Sequence, residues 1–440
     1  MKALVVSAVP KGHAALTSLD EQLALAGYDE IEHFDVMEVK LGFCQGEFDC
    51  WLKHPGRCKI DDGEQAIVAA IPSADGLVFL GPVTFGGWGY TLKRAIDRII
   101  CLISPFFEKR VALTHHERRY ERYPRLYATG LLATLDAEQQ ATFDQLNDAN
   151  AINFFAPRRN ATVLYQDRQD TWGAALGAML AHDVEPGAML SGREQLRREL
   201  IEVARADRTS AASGPLRTAA LLVGSAKVKG TSASEHLARA LMGRLAARGV
   251  MCELHFATEF VHERAPALAA ARAMAAAEML VLATPLYVDA LPALATRALE
   301  LIARERLDSE TDARFLPLIN CGFPEPEHTR TAIRITRHFA AAAGYRFAGA
   351  LPLGAGGTVT SERNLDEPRP PVAHVVRALE LTADALMVDG CVPQTALDEI
   401  IKPPLPDAMY RLVADMGFRW QAHQHGTRQR ELRATPFSKG

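Results

Sequence analysis

The chain has 440 residues, a net charge of −4, and 48% apolar against 23% charged residues. That length accommodates two or three domains with a core each, and the near-neutral balance argues against nucleic acid or a polyanion as partner. The seven cysteines are odd in number and widely spread, which argues against a secreted disulfide framework. Met1–Val6 does not read as a signal peptide, and no run approaches the ~18 apolar residues of a membrane span. The expected location is cytoplasmic.

In chain order, a strand over Ala3–Ser7 leads through Ala8–His13 into a helix over Ala15–Ala26 that Gly27 closes, and Glu30–Val36 forms a second strand. A compact segment, Cys44–Cys58, holds three cysteines, and a short helix spans Gly63–Ile71. Gly76–Leu80 is a wholly apolar run that reads as a buried strand. A loop, Val83–Gly89, follows, then a helix over Tyr90–Ile103, a strand over Leu126–Gly130, a helix over Asp136–Ala149 and a strand over Ala161–Leu164. Helical segments fill Trp172–Arg205, and Arg208–Pro215 has the small, polar, Pro/Gly-terminated character of a linker.

The alternation then restarts. Strands are expected at Thr218–Val223, Met251–Phe256, Met279–Ala283, Phe315–Asn320 and Phe347–Leu353. Helices are expected at Ser232–Ala247, Ala265–Ala276, Leu291–Arg304, His328–Ala343 and Val372–Met387. Strict alternation points to an α/β chain with two doubly wound domains of the flavodoxin type, each a five-stranded parallel sheet with helices on both faces. The expected organisation is a first domain over 1–207, a linker over 208–216, a second domain over 217–389 and a helical tail over 390–440. The spacing from Gly12 to Pro82 exceeds that from Gly230 to Pro285 by the length of Cys44–Cys58. The cysteine segment therefore reads as an insertion into one copy of a tandem duplication.

Ligands of such sheets lie at the carboxyl ends of the strands. After the first strand of the second half, Gly224–Ser234 offers the hydroxyls of Ser225, Thr231, Ser232 and Ser234 with Gly224 and Gly230 at a helix N-terminus. That combination suits a phosphate, although Ser/Thr capping of a plain helix uses the same residues. The corresponding turn of the first half, Ser7–Thr17, has fewer hydroxyls but contains Lys11. After the third strand the first half has Pro82-Val83-Thr84-Phe85-Gly86-Gly87-Trp88-Gly89 and the second Pro285-Leu286-Tyr287-Val288-Asp289. Glycines there admit backbone N–H groups to a ring edge, and aromatics offer a face; packing against a neighbouring domain is the alternative.

The segment Cys44-Gln45-Gly46-Glu47-Phe48-Asp49-Cys50-Trp51, continued by Lys53–Asp62 and by Gly81–Gly87, resembles the NADPH-dependent FMN reductase family, and most of all its cysteine-bearing branch related to iron–sulfur flavoproteins. The second half is similar to another member of that superfamily through Gly224-Ser225, Pro285–Asp289, Asn320–Phe323 and Gly354–Gly357. The resemblance implies FMN, with its phosphate in the turn after strand one and its ring against the loops after strands three and four. Carried over, the implied contacts are Pro10, Lys11, Thr17, Pro82–Gly87, Thr129 and Gly130 in the first half. In the second they are Ser225, Lys227, Thr231, Ser232, Ser234, Pro285–Asp289, Asn320, Cys321 and Gly322. Glu47 stands where a second closely spaced cysteine would fall in a cluster-bearing relative, so no metal is assigned.

The implied activity is transfer of electrons from NAD(P)H through FMN to a small acceptor such as a quinone or a flavin, with no catalytic acid or base required. An electron carrier without direct NAD(P)H use, a non-catalytic binding or scaffold protein, and a cluster-bearing flavoprotein are the alternatives. A homo-oligomer or a redox partner protein is left open. His115-His116 with Arg118, Arg119, Tyr120, Arg122 and Tyr123 forms a basic, aromatic insertion, suited either to a nicotinamide phosphate or to solvent. Met409, Leu412, Val413, Met416, Phe418 and Trp420 form an apolar stripe at helical spacing, suited to docking on the body or on a partner subunit, with a membrane-surface helix as the alternative.

Overall fold

The computed structural model describes residues 1–188, 190, 192–207, 216–307, 312–360 and 365–437. The chain divides into two compact units, Met1–Leu190 with Arg411–Gly440, and Ser191–Tyr410. The expected linker Arg208–Pro215 lies outside the described residues.

In the first unit β1 (Lys2–Ser7), β2 (Glu30–Asp35), β3 (Gly76–Thr84), β4 (Gly87–Trp88), β5 (Ile103–Arg110), β6 (Leu113–Arg118), β7 (Arg125–Leu132) and β8 (Arg159–Tyr165) follow in order. The parallel path β2-β1-β3-β7-β8 is the doubly wound order of the flavodoxin type. Inner strands β1 and β3 are apolar on both faces because helices cover both, whereas edge strand β2, Glu-Ile-Glu-His-Phe-Asp, is half-exposed. One face collects Ala3 and Val5 of β1 with Val78 and Leu80 of β3, two residues apart in each strand. Helices Ala14–Leu25 and Trp172–Ala181 seal that face with Leu19, Leu23, Leu176 and Met179. Gly27, at φ +85, ends the first helix in a left-handed residue, where Tyr28 N donates to Leu23 O at 3.0 Å.

The second unit repeats the order with β9 (Thr218–Val223), β10 (Met251–Phe256), β11 (Met279–Pro285), β12 (Ala313–Asn320), β13 (Tyr345–Phe347) and β14 (Leu351–Leu353) along β10-β9-β11-β12-β13. The expected single strand Phe347–Leu353 is in fact two short strands, both paired to β12. Gly349, at φ +94, breaks it, and Ala350 N turns to Ala204 O instead of the sheet.

Two further corrections fall in the first unit. The expected helix Tyr90–Ile103 ends at Arg98 and gives way to a 3₁₀ turn, Ile99–Leu102. The first part of the basic insertion, His115–Arg118, lies in the second strand of an antiparallel hairpin, β5–β6, and Arg119–Tyr123 follow it as irregular chain. Arg119 is buried and donates to Ile103 O, Leu432 O and Ala434 O, so it fastens the C-terminal segment to the hairpin. Within this unit the tail helix also docks Phe418 on Phe48, Trp51 and Phe107, while Asp415 accepts from Phe107 N. Leu412, Val413, Met416 and Trp420 remain exposed. Among the described residues no helix is long and apolar enough to cross a membrane.

His116 is enclosed by Trp51 and Phe107, with Nδ1 3.2 Å from Pro105 O. Burial pushes its imidazole down to about 3. An unfolded chain takes up a proton there below its ordinary value of about 6.5 and the folded chain does not, so this residue withdraws stability as pH falls from that value towards 3. His116→Phe, which keeps an aromatic ring between Trp51 and Phe107, is expected to make the acid limb of the stability curve shallower. Urea midpoints of both proteins at about pH 4 and about pH 7 measure it.

Candidate functional site

In the first unit the chain leaves β1 by donating Ala8 N to Leu80 O, 2.8 Å, which holds the first turn beside the carboxyl end of β3. Pro10 and Lys11 are exposed, and Gly12 sits at φ +79 with no atom within 4 Å of where a side chain would stand. His13 caps the following helix, its Nδ1 accepting from Ala15 N at 3.2 Å, and its ring lies nearly parallel to Trp172. Thr17 is exposed one turn into that helix. The turn is open, basic and backed by a helix N-terminus, which are the properties a phosphate needs.

The expected loop after β3 is a tight hairpin instead. Val83 pairs with Trp88 and Thr84 with Gly87, and the reversal is made by Phe85 and Gly86 at φ 54 and 77. Gly86 N donates to Gln139 Oε1 at 2.9 Å, and Gln139 is held by the N-cap carboxylate of Asp136. Asp136 and Gln139 were not singled out from sequence; the visible signal was an Asp at the start of a helical run. Thr129 and Gly130 do not join the turn. Thr129 is fully buried with Oγ1 3.7 Å from Met179 Sδ, and a methyl group on Gly130 would lie 2.4 Å from Val83 Cγ2. Gly130 is therefore a packing glycine: its bare backbone lets Val83 and Phe143 meet over the sheet.

In the second unit the hydroxyls of the first turn are occupied within the protein. Ser225 Oγ accepts from Lys227 N, Thr231 Oγ1 donates to Val228 O, and Ser232 caps the helix by accepting from Glu235 N. Ser234 Oγ donates to Asn320 Oδ1 at 2.8 Å, which joins two of the expected loops. Glu235 is buried, accepts from Gly230 N at 2.6 Å and pairs with Arg239. This carboxylate takes a donor that a phosphate would use and adds like charge. The pattern Ser232-Ala233-Ser234-Glu235 has the spacing of a capping box, but the Glu235 carboxylate takes Gly230 N rather than the N–H of Ser232.

Pro285 ends β11 and Leu286 N donates to Asn320 O. Tyr287 and Ala290 then exchange backbone hydrogen bonds around Val288 and Asp289, at φ 47 and 58. Asp289 is buried. Cys321 is buried with Sγ 3.4 Å from both Phe323 O and Glu325 O, and Gly322 O accepts from Tyr410 Oη at 2.8 Å. Below it lies a charged group that sequence did not reveal. Glu327, with no exposed surface, receives Arg197 at 3.3 Å and Arg193 at 3.6 Å, and Arg193 also pairs with Asp407.

The cysteine segment packs on the helix Tyr90–Arg98 through one guanidinium. Arg98 is fully buried, and its Nη1 donates to Asp62 at 2.6 Å while Nη2 reaches Ile60 O and Cys58 Sγ at 3.2 and 3.4 Å. Cys101 Sγ lies 3.5 Å from Arg98 O, so a fourth cysteine from a distant part of the sequence joins this region. Burial pushes the Cys44 thiol up to about 12, with Asp97 next in effect, and raises Cys50 and Cys101 as well. Glu64, wholly buried beneath the segment, is also raised by burial, which Arg98 partly offsets. These are protonated, poorly nucleophilic thiols. Among the described residues no three His, Cys, Asp or Glu side chains are placed to hold a metal ion.

Residues 1–117 match the NADPH-dependent FMN reductase family. The chain is also similar to solved structures at low identity. The NAD(P)H:quinone oxidoreductase of Methanothermobacter marburgensis is 14% identical, with 41% of this chain and 98% of that chain covered and a TM-score of 0.32. Smu.1420 of Streptococcus mutans is 12% identical over 41% of this chain and 98% of its own, TM-score 0.31. An azoreductase of Bacillus anthracis is 10% identical over 39% and 99%, TM-score 0.28. No curated protein matches the chain.

The contact between Gly130 and Val83 can be tested directly. Gly130→Ala is expected to cost about 1–3 kcal/mol through overpacking. Adding Val83→Ala should recover part of that loss. A double-mutant cycle from urea midpoints measures the coupling, which vanishes if Gly130 is needed only for ligand access.

Proposed function

We propose that the chain is an FMN-dependent NAD(P)H oxidoreductase that passes electrons to a small acceptor such as a quinone or a flavin. The first unit is the flavin-binding one. The observation that carries this reading is the contrast between the two first turns. Pro10–His13 is open, with Lys11 exposed, while Gly230 N is already taken by the carboxylate of Glu235. The family match over residues 1–117 falls on the same unit.

The residues present in the first unit fit FMN. Lys11 and the backbone around Gly12 would hold the phosphate, and the Phe85–Gly86 reversal would form the wall beside the ring. Bound FMN supplies the acceptance of hydride from the nicotinamide and its onward delivery as electrons. The chain's own task is then to bind and orient, which is consistent with a site that offers no nucleophile or general base. The hairpin, anchored by Gln139, would offer the ring a wall already formed by the chain. The second unit, in this reading, keeps the scaffold without holding a flavin.

Titration of the purified chain with FMN, followed by flavin absorbance, is expected to saturate at one FMN per chain. Lys11→Glu should weaken that binding by about tenfold, the scale of a charge-assisted phosphate contact. Glu235→Gln should leave the stoichiometry at one. The FMN-loaded chain should oxidise NADPH with a quinone as acceptor. Two flavins per chain, or none, would refute the assignment, and a loaded chain without NADPH turnover would leave an electron carrier instead.

A further inference from the structure

A cavity of about 450 Å³ opens in the first unit, lined among others by Arg110, Arg118, Glu121, Tyr123, Phe155 and Glu185. It lies away from the turns described above. Tyr123 stands two residues before β7 and Phe155 four before β8, so the cavity is at the amino ends of these strands, whereas the candidate flavin residues are at the carboxyl ends. Its volume falls within the range of small-molecule pockets.

Two cations of the β5–β6 hairpin, Arg110 and Arg118, line it. The Arg110 guanidinium stands 4.4 Å from the Phe155 ring centroid and that of Arg118 stands 5.4 Å from it. Among the described residues neither has a carboxylate within ion-pair distance, and Arg110 Nε is buried without a hydrogen-bond partner. The third arginine of the lining, Arg122, is already paired with Asp75. Two like charges over one ring repel, and burial depresses the Arg110 pKa, opposed by Glu108 and with a smaller lowering from Arg118. An anion would relieve both costs.

The floor is rigid. Phe155 is buried at φ 54, a conformation that costs a bulky residue about 1–2 kcal/mol, and its N–H donates to Ile152 O at the end of helix Ala137–Asn153. Tyr123 packs 5.5 Å from Phe155, and its hydroxyl donates to Leu102 O while accepting from Arg119 N. Glu121 and Glu185, both exposed, complete the lining with carboxylates that accept hydrogen bonds. Guanidinium pairs recognise phosphate oxygens in a fork, and carboxylates recognise sugar hydroxyls.

We propose that this cavity binds a phosphorylated sugar, with its phosphate on Arg110 and Arg118 and its hydroxyls towards Glu121 and Glu185. The site is separate from the flavin turn and does not depend on it. Its ligand is either a simple sugar phosphate or the ribose phosphate of a nucleotide.

Calorimetric titration of the full FMN-loaded chain with ribose 5-phosphate, AMP, ribose and inorganic phosphate tests this. Binding of ribose 5-phosphate or AMP is expected, with ribose and inorganic phosphate each weaker by about tenfold or more, since each lacks one set of contacts. Arg118→Glu, at an exposed position that should not disturb folding, is expected to abolish binding of both phosphorylated probes. It should leave FMN content and NADPH oxidation unchanged. Tighter binding of AMP than of ribose 5-phosphate would identify the nucleotide as the ligand class, and the reverse the simple sugar phosphate. Failure of both phosphorylated probes to bind, undiminished binding by the Arg118→Glu chain, or equal binding of inorganic phosphate would each overturn the proposal. Loss of NADPH oxidation in that variant at full FMN content would overturn the separation of the two sites.

Discussion

Both units turn the chain directly after the third strand by placing two consecutive residues at positive φ, Phe85-Gly86 in one and Val288-Asp289 in the other. Such a reversal matches the twist of the strands it joins, and for residues other than glycine it costs about 1–2 kcal/mol each. A bulky Phe and a β-branched Val therefore persist there only because their surroundings over-determine them. In the first unit the surroundings are visible: Trp88 is packed edge-on against Phe143, Val83 fills the space above Gly130, and Gln139 holds Gly86 N. In the second, the exchange between Tyr287 and Ala290 and the bond from Leu286 N to Asn320 O play that part.

The same cost explains what the sequence concealed. Apolar strands such as Thr218–Val223 and the helix Ala265–Ala276 are where hydrophobic patterning places them, because a doubly wound sheet buries its inner strands on both faces. The hairpin β5–β6 was not legible. Its turn, Val111-Ala112 at φ 45 and 69, contains none of the Asn-Gly or Asp-Gly signals that announce such a turn. The reversals at Phe85 and Val288 were read as loops for the same reason. Tertiary packing enforces these conformations, and local propensity does not record them.

The candidate site was legible as a set of segments but not as a set of contacts. Ser232 and Ser234 were visible as hydroxyls at a helix N-terminus; that one caps the helix and the other bonds to Asn320 depends on atoms far away in sequence. Glu235 was present in the pattern all along, and its weight appears only once its carboxylate is seen on Gly230 N. Thr129 illustrates the reverse case. Its neighbour Gly130 lies at the end of a central strand, yet alternation points the Thr129 hydroxyl into the core beside Met179.

The first unit departs from the second through two additions, the cysteine segment and the β5–β6 hairpin, and one residue fastens each. Arg98 draws Asp62, Ile60 O and Cys58 to a single buried guanidinium, while Arg119 gathers Ile103 O, Leu432 O and Ala434 O. A guanidinium can satisfy several acceptors in one plane without losing its charge, which suits it to closing irregular chain that has no ladder of its own. The hydrogen bonds given for Arg119 go to backbone carbonyls, and burial lowers its pKa. Arg98 has the Asp62 carboxylate, and the cysteine segment is held correspondingly by an ion pair. The two additions thus differ in how their anchors meet the cost of burying a cation. The anchor without an ion pair directly follows the hairpin that carries Arg110 and Arg118, and among the described residues none of these three arginines has a carboxylate within ion-pair distance.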